Sequence, residues 1–178
     1  MGDGRMTIKA QYLGMPLDIS ELDAENLQYF GYCAEHDFRL QACGRCGLLR
    51  YPPTTACPWC AEAAARWVAV EGRGAVHSYV EVHHAIQPAF RDHVPYLVLL
   101  VDLDTQKGVP TEDEALRIVG NLTTADGVLA PPEVVRKVGI GTRVRMAFTD
   151  VAPGLALPQW TFDEAAPQPA TVWRYPQE

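Results

Sequence analysis

The stretch Cys43-Gly44-Arg45-Cys46, followed by Cys57-Pro58-Trp59-Cys60, decides the fold of this chain. In each pair the cysteines lie three positions apart, and residues 47–56 separate the two pairs. A short turn of this kind aims two thiolates at one ion, and two such turns complete a tetrahedral site of four sulfurs. Gly47, directly after the first pair, allows the tight backbone turn that such a knuckle needs. The predicted ligands of one structural zinc ion are Cys43, Cys46, Cys57 and Cys60.

Iron is the alternative metal, because the Cys46-Gly47 and Cys57-Pro58-Trp59-Cys60 segments also resemble rubredoxin. The segment between the two pairs is much shorter than the rubredoxin loop, so zinc is preferred. Four thiolates leave no coordination position open, which predicts a structural metal rather than a Lewis acid. Four cysteines at this spacing without a metal are the less favoured interpretation. The fifth cysteine, Cys33, is predicted to be an inert buried thiol rather than a reactive one.

The composition excludes several classes of protein. The chain has 178 residues, and 48% of them are hydrophobic, which suffices for a packed core and excludes a disordered tail protein. The 15 basic and 22 acidic residues give a formal charge of −7, which disfavours a broad basic surface. No apolar run approaches the length of about 18 residues that spans a bilayer. The first residues lack the hydrophobic stretch of a secretory signal, so we expect a cytoplasmic protein that meets no membrane.

Four segments are predicted along the chain. Residues 1–42 form an N-terminal helical segment, because Asp18-Ile19-Ser20-Glu21 offers a helix N-cap ahead of apolar residues at helical spacing. This helix packs on its own chain or docks on a partner. Residues 43–66 form the zinc ribbon, and residues 67–163 form a β-domain. Residues 164–178, rich in proline and alanine, form an extended C-terminal arm.

The β-domain is predicted to be a five-stranded OB-fold barrel, which makes the chain mainly β. The predicted strands are 75–83, 96–103, 115–122, 142–149 and 155–162. A short helix with proline at its start, 131–138, falls between the third and fourth strands, which is the order of an OB-fold. Gly72-Arg73-Gly74 suits a bulge or barrel corner.

Strict alternation in the first barrel strand predicts which side chains share a face. Val76, Ser78, Val80 and Val82 would lie on one face of the strand. The opposite face would carry His77, Tyr79, Glu81 and His83.

Three further motifs accompany the cysteine spacing. They are Arg50-Tyr51-Pro52-Pro53 after the first knuckle, Gly72-Arg73-Gly74, and Val94-Pro95-Tyr96 at the start of an apolar strand. Together with a leading helix, they make the chain resemble the acyl-CoA-associated zinc-ribbon/OB-fold family. The resemblance covers roughly residues 25–162 at the level of architecture. The stretch 105–114 is interpreted as an insertion, and the C-terminal arm is less typical of the family.

Members of that family are small subunits that work beside thiolase-like proteins. These partners include acyl-CoA thiolases, acyltransferases, hydroxymethylglutaryl-CoA synthases and lipid-transfer-type aldolases, in lipid, steroid or aromatic degradation. The resemblance implies that the partner holds the catalytic residues and that this chain supports the partner's fold and its acyl-CoA site. It also implies a hetero-oligomer, with two copies flanking a partner dimer and a coenzyme A thioester as the ligand of the complex.

The loop 84–95 is the segment of the barrel that we expect to carry function, because loops on a rigid scaffold commonly do. Ile86 and Phe90 are apolar residues in an otherwise polar connector. They either anchor a partner and line an acyl-CoA channel, or fold back and cap the barrel. The candidate contacts to acyl-CoA or to the partner are Arg73, Phe90, His93 and Tyr96.

Two other functions, catalysis by this chain alone and nucleic-acid binding, have weaker support in the sequence. Catalysis by this chain alone would rest on the histidines near the first strand, of which His77 and His83 lie close to Glu81, but no nucleophile elbow or phosphate loop accompanies them. We therefore assign no catalytic residue. The alternative function is nucleic-acid binding, which zinc ribbons and OB-folds both perform. A local basic patch that meets nucleic acid, or the phosphates of coenzyme A, would consist of Arg136, Lys137, Arg143 and Arg145.

Overall fold

The structure, a computed structural model, describes residues 8–19 and 24–175. The chain begins with a hairpin of β1 (Ile8–Tyr12) and β2 (Met15–Ile19), followed by helix α1 (Ala24–Ala34). A three-stranded sheet then forms in the order β4-β3-β5. Its strands are β3 (Arg39–Cys43), β4 (Leu49–Arg50) and β5 (Ala65–Ala69). This sheet is the ribbon of the fold, and the end of β3 and the turns beside the sheet present the four cysteines.

Five further strands close a barrel in the order β10-β8-β7-β6-β9. They are β6 (Arg73–Val82), β7 (Tyr96–Leu103), β8 (Arg117–Thr123), β9 (Arg143–Ala152) and β10 (Leu155–Phe162). Helix α2 (Pro132–Val135) lies between β8 and β9 in the chain. The predicted OB-fold, with its short proline-led helix between the third and fourth barrel strands, is therefore confirmed.

The first barrel strand contains a bulge that the alternation pattern did not predict. The register between β6 and β7 shifts between Val76 and Ser78, which leaves His77 as the extra residue. Before the shift Val76 lies in the core, and after it Tyr79 pairs with Leu99, a core residue. Strict alternation was therefore wrong from Ser78 onward, because the bulge moves every side chain that follows His77 to the other face. The bulge lies beyond Gly72-Arg73-Gly74, for which the sequence predicted a bulge or a barrel corner.

Gly74 instead serves close packing between strands. A Cβ at this position would collide with the carbonyl oxygen of Asp102 on β7 and with the side chain of Val101. The absence of a side chain at Gly74 thus lets β6 pack closely against β7 at this point.

The N-terminal segment differs from the sequence prediction in its first half. The predicted cap residues Asp18 and Ile19 lie in strand β2, and Ser20 and Glu21 fall outside the described residues. The helix begins at Ala24, and it buries Tyr29 and Cys33. The Tyr29 ring stacks on Trp67 of β5 with centroids 6.5 Å apart. The helix therefore packs on its own chain.

One hydrophobic core joins the ribbon to the barrel. Leu40 and Leu49 of the ribbon belong to the same buried cluster as Leu99 and Trp160 of the barrel. A second link is polar. The backbone N–H of Leu49 donates to Gln106 Oε1 at 2.7 Å, and Gln106 Nε2 donates to the Leu49 carbonyl at 3.1 Å. Part of the inserted stretch 105–114 therefore pairs with the edge of the ribbon.

Candidate metal centre and its surroundings

The four paired cysteines converge at the end of the ribbon. Their Sγ atoms all lie within 4.8 Å of one another. Cys43 Sγ lies 3.5 Å from Cys60 Sγ, and Cys46 Sγ lies 3.6 Å from Cys57 Sγ. A tetrahedral ion with metal–sulfur distances of about 2.3 Å requires sulfur separations of about 3.8 Å. The cluster can therefore hold one metal ion.

The two turns that present the cysteines have the same hydrogen bonds. In the first turn Gly47 N–H donates to the Cys43 carbonyl at 3.1 Å, and in the second Ala61 N–H donates to the Cys57 carbonyl at 2.9 Å. Gly47 and Ala61 both have positive φ, +74° and +59°. The sequence reveals this conformation only in the first turn, because alanine is not a residue that favours it.

Backbone amides make the cluster suitable for thiolates. The amide of Cys46, followed by that of Arg45, lowers the pKa of Cys43 to about 6. The amide of Leu48 lowers the pKa of Cys46, but the partial desolvation of its sulfur and the three neighbouring sulfurs outweigh this and raise the pKa to about 12. Four sulfurs this close repel one another as thiolates, so a bound cation is what allows all of them to be deprotonated together.

Cys33 lies apart from the cluster, in the core beside Tyr29. Burial raises the pKa of its thiol to about 12. A thiol that stays protonated and has no exposed surface is a poor nucleophile, which supports the interpretation of Cys33 as inert.

Three of the four candidate contact residues share one surface at the end of the barrel. Phe90 lies in a short 3-10 turn, Pro88–His93, and contacts Tyr96 and Tyr12 with ring centroids 5.1 and 5.7 Å apart. His93 ends the same turn. The aromatic trio fastens the loop to the β1–β2 hairpin.

Arg73 stands at the opposite end of β6. Tyr96 pairs with Val82, so nearly the whole strand, about 30 Å, separates it from Arg73. The Arg73 guanidinium lies 3.2 Å from Glu71 and 3.6 Å from Asp163. The structure therefore does not bring Arg73 together with the other three residues.

The two apolar residues of the loop 84–95 have different surroundings. Phe90 is half-buried in the aromatic trio, whereas Ile86 is 88% exposed. Phe90 thus folds back on the barrel, and Ile86 is the loop residue whose side chain is free to meet a partner.

The structure does not bring His77 and His83 together. His77 Nδ1 lies 3.1 Å from Asp102 on the outside of the barrel, while His83 Nε2 lies 3.5 Å from Glu81 near the other end of the strand. Within the predicted basic patch, Arg143 forms an ion pair with Asp104, and this contact lowers the pKa of the Asp104 carboxyl.

Two residues with clear structural roles were missed from the sequence. Gln106 pairs with the ribbon edge, and Arg174 of the arm donates to carbonyls at the end of α2. Each joins segments more than 35 positions apart, so no local pattern identifies it.

Most of the barrel and most of the chain match known proteins. A family model described as the C-terminal OB-fold domain of ChsH2 matches residues 67–149. A solved chain from the "Ltp2-ChsH2(DUF35) aldolase" is 30% identical, with a TM-score of 0.61, and the match covers 79% of this chain and 96% of that chain. The chain belongs to the ChsH2-type DUF35 family. The resemblance predicted from the cysteine spacing and the accompanying motifs is confirmed.

Two curated relatives of this DUF35 chain are longer proteins. A probable enoyl-CoA hydratase alpha subunit of Thermomonospora curvata is 33% identical over 147 residues, 83% of this chain and 40% of the relative. The 3-oxo-4,17-pregnadiene-20-carboxyl-CoA hydratase alpha subunit of Mycobacterium tuberculosis is 33% identical over 129 residues, 72% of this chain and 35% of the relative. The chain therefore spans 40% or less of the length of these two relatives. None of the helices among the described residues is long and apolar enough to cross a membrane.

Proposed function

We propose that this chain is an accessory subunit of a thiolase-like acyl-CoA enzyme, and that the partner carries the chemistry. The observation that carries the proposal is the 30% identity across 96% of a ChsH2 DUF35 chain whose solved structure is that of an aldolase with Ltp2. The names of both curated relatives describe alpha subunits that handle coenzyme A thioesters. Whether the complex performs aldol cleavage, thiolysis or acyl transfer depends on the partner.

In this proposal the four cysteines hold a structural zinc ion. Four thiolates fill a tetrahedral site and leave no position for substrate or water. The ion therefore supplies folding energy to the ribbon. Cys43 and Cys46 come from one turn, and Cys57 and Cys60 from the other, so the metal would fix the two turns against each other.

We place the partner-facing surface at the loop 84–95. Ile86 offers an exposed apolar side chain there, while Phe90 and Tyr96 make the surface rigid. His93 lies at the end of the same turn, within the region proposed to approach the acyl-CoA site. Arg73 is not part of this surface, because it lies at the far end of β6 among carboxylates.

Affinity purification of the tagged chain from its native cells, followed by mass spectrometry, tests the proposal. We expect a thiolase-like protein in near-equal amount with the wild type. Ile86→Asp should reduce its recovery at least about tenfold, because a buried charge is costly at an apolar interface. Val128→Asp introduces the same charge at an exposed β-branched residue of another loop and serves as the matched control.

Other outcomes would contradict the proposal. Recovery of nucleic acid alone, lost as the salt concentration rises, would support the nucleic-acid-binding alternative. Full recovery of the partner with Ile86→Asp would reject the loop as the contact surface while leaving the subunit role intact.

A further inference from the structure

The C-terminal arm returns to the barrel at residues 173–175. Ile140 N–H donates to the Trp173 carbonyl at 2.9 Å, and Trp173 N–H donates to the Ile140 carbonyl at 3.3 Å. The backbone N–H of Tyr175 donates to the Tyr79 hydroxyl at 2.9 Å. In an extended segment, alternate side chains point in opposite directions. Arg174 therefore points away from the direction taken by Trp173 and Tyr175.

Arg174 anchors the arm. Its side chain is only 19% exposed, and its guanidinium donates to the carbonyls of Val135 and Val138 at the end of α2. It also donates to Glu81 Oε2 at 2.6 Å and lies over the Tyr79 ring, 5.5 Å from its centroid. Charge-assisted hydrogen bonds of this kind are among the strongest that a side chain makes. The arm is thus held in one position.

The anchored arm keeps two aromatic rings exposed. Trp173 is 57% exposed and Tyr175 is 75% exposed, and among the described residues neither ring packs against another aromatic ring. With Ile140 and Tyr79 they line a groove of about 500 Å³. A fixed groove of this size with apolar walls is typical of a small-molecule site, since rigid rings lose little entropy when a ligand binds.

Three polar residues, Ser78, Glu81 and His83, also line the groove. Glu81 Oε2 is paired with Arg174, and Glu81 Oε1 lies 3.5 Å from His83 Nε2. Because the charges of Glu81 and Arg174 are paired with each other, they leave no free cation among the described lining residues for an anionic ligand, whereas His83 and the Ser78 hydroxyl can hydrogen-bond a neutral oxygen.

We propose that this groove binds a flat, neutral ring alcohol or ring ketone. The ring would lie against Trp173 and Tyr175, and its oxygen would face His83 and Ser78. The volume of about 500 Å³ accommodates fused rings. The site is built from this chain alone, so the inference does not depend on the proposed subunit role.

Isothermal titration of the full chain tests the ligand class with three probes. We expect 2-naphthol to bind at one site per chain with a dissociation constant below about 1 mM. 2-Naphthoate, which has the same rings and a negative charge, should bind about tenfold more weakly. 1-Hexanol, a neutral alcohol without a ring, should show no saturable binding. Failure of 2-naphthol to bind, or equal binding of 2-naphthoate or 1-hexanol, would overturn the proposed class.

Variants locate the site. Trp173→Ala and Tyr175→Ala should each weaken 2-naphthol binding about tenfold, because each removes one aromatic wall. Trp59→Ala is the matched control, since Trp59 is 52% exposed but lies at the cysteine turn. His83 lies outside the arm, so the weaker 2-naphthol binding that we expect for His83→Ala does not depend on the arm keeping its position. Unchanged binding in Trp173→Ala and His83→Ala, or loss of binding in Trp59→Ala, would place the ligand elsewhere.

Discussion

The ribbon and the barrel are neighbours in one core, yet they are held together by different means. The barrel is closed, so its strands have no free edge between them, and Leu97, Leu99 and Trp160 are fully buried inside it. The ribbon has one strand of only two residues, Leu49–Arg50, and its cysteine end protrudes from the core. A closed apolar sheet supports itself, whereas a small exposed knuckle needs a metal to fix it. A few metal–sulfur bonds at one point would thus hold the cysteine end of the ribbon, whereas packing contacts throughout the closed sheet hold the barrel.

The largest expected effect comes from breaking the ribbon. Cys43→Ser should abolish stoichiometric zinc and lower the free energy of unfolding by at least about 5 kcal/mol, because structural zinc contributes folding energy directly. Metal analysis by plasma mass spectrometry and thermal unfolding measure both quantities. Cys33→Ser is the control: it replaces a buried cysteine outside the cluster, so the zinc content should stay unchanged. A Cys43→Ser protein with full zinc and full stability would reject the metal assignment.

A substitution in the barrel core should lower the free energy of unfolding by less than Cys43→Ser does, and it should leave the metal in place. Trp160→Ala removes a fully buried ring whose Nε1 donates to the Ile118 carbonyl at 3.3 Å. We expect the free energy of unfolding to fall by about 3–5 kcal/mol, measured by urea unfolding, with unchanged zinc content. Loss of zinc from the folded variant would mean that the two regions are not stabilised independently.

A smaller effect is expected at the mouth of the barrel. Phe90→Ala removes contacts with Tyr12 and Tyr96 and should lower the free energy of unfolding by about 1–3 kcal/mol. Ile86→Asp, in the same loop but exposed, should change it by less than about 0.5 kcal/mol. Equal urea midpoints for Phe90→Ala and the wild type would contradict the capping role that the contacts indicate.

The smallest expected effect sharpens the comparison between the two cysteine turns. Ala61 has a φ of +59°, a conformation that glycine adopts without strain, so Ala61→Gly should raise the free energy of unfolding by about 0.5–1 kcal/mol. Ala63→Gly, outside any positive-φ position, should lower it by a similar amount. Thermal unfolding of the zinc-loaded variants measures both changes. Destabilisation by Ala61→Gly would show that the strain assigned to this turn is absent.

The ribbon and the order of the barrel strands could be predicted because their signals are local. Two cysteine pairs at fixed spacing suffice to specify a four-sulfur site. Alternating or continuous apolar runs identified the five barrel strands, and prolines marked the start of α2.

The hairpin β1–β2 was not predicted, and its turn explains why. Leu13 and Gly14 both have positive φ, +52° and +76°, as a two-residue hairpin turn requires. Asparagine or aspartate before the glycine would have indicated such a turn, but leucine does not. Strand β1 itself alternates between apolar and polar residues, so the missing turn signal is what hid the hairpin.

The sequence alone was enough to predict the four-cysteine cluster, the barrel strands and the family, since each depends on residues close together in the chain. Only the tertiary structure decided the bulge at His77, because a bulge is defined by the strand that pairs with it. The same holds for Gln106 at the ribbon edge and for Arg174 under the aromatic arm. Their partners lie tens of residues away, and long-range hydrogen bonds follow from the folded path rather than from any local pattern.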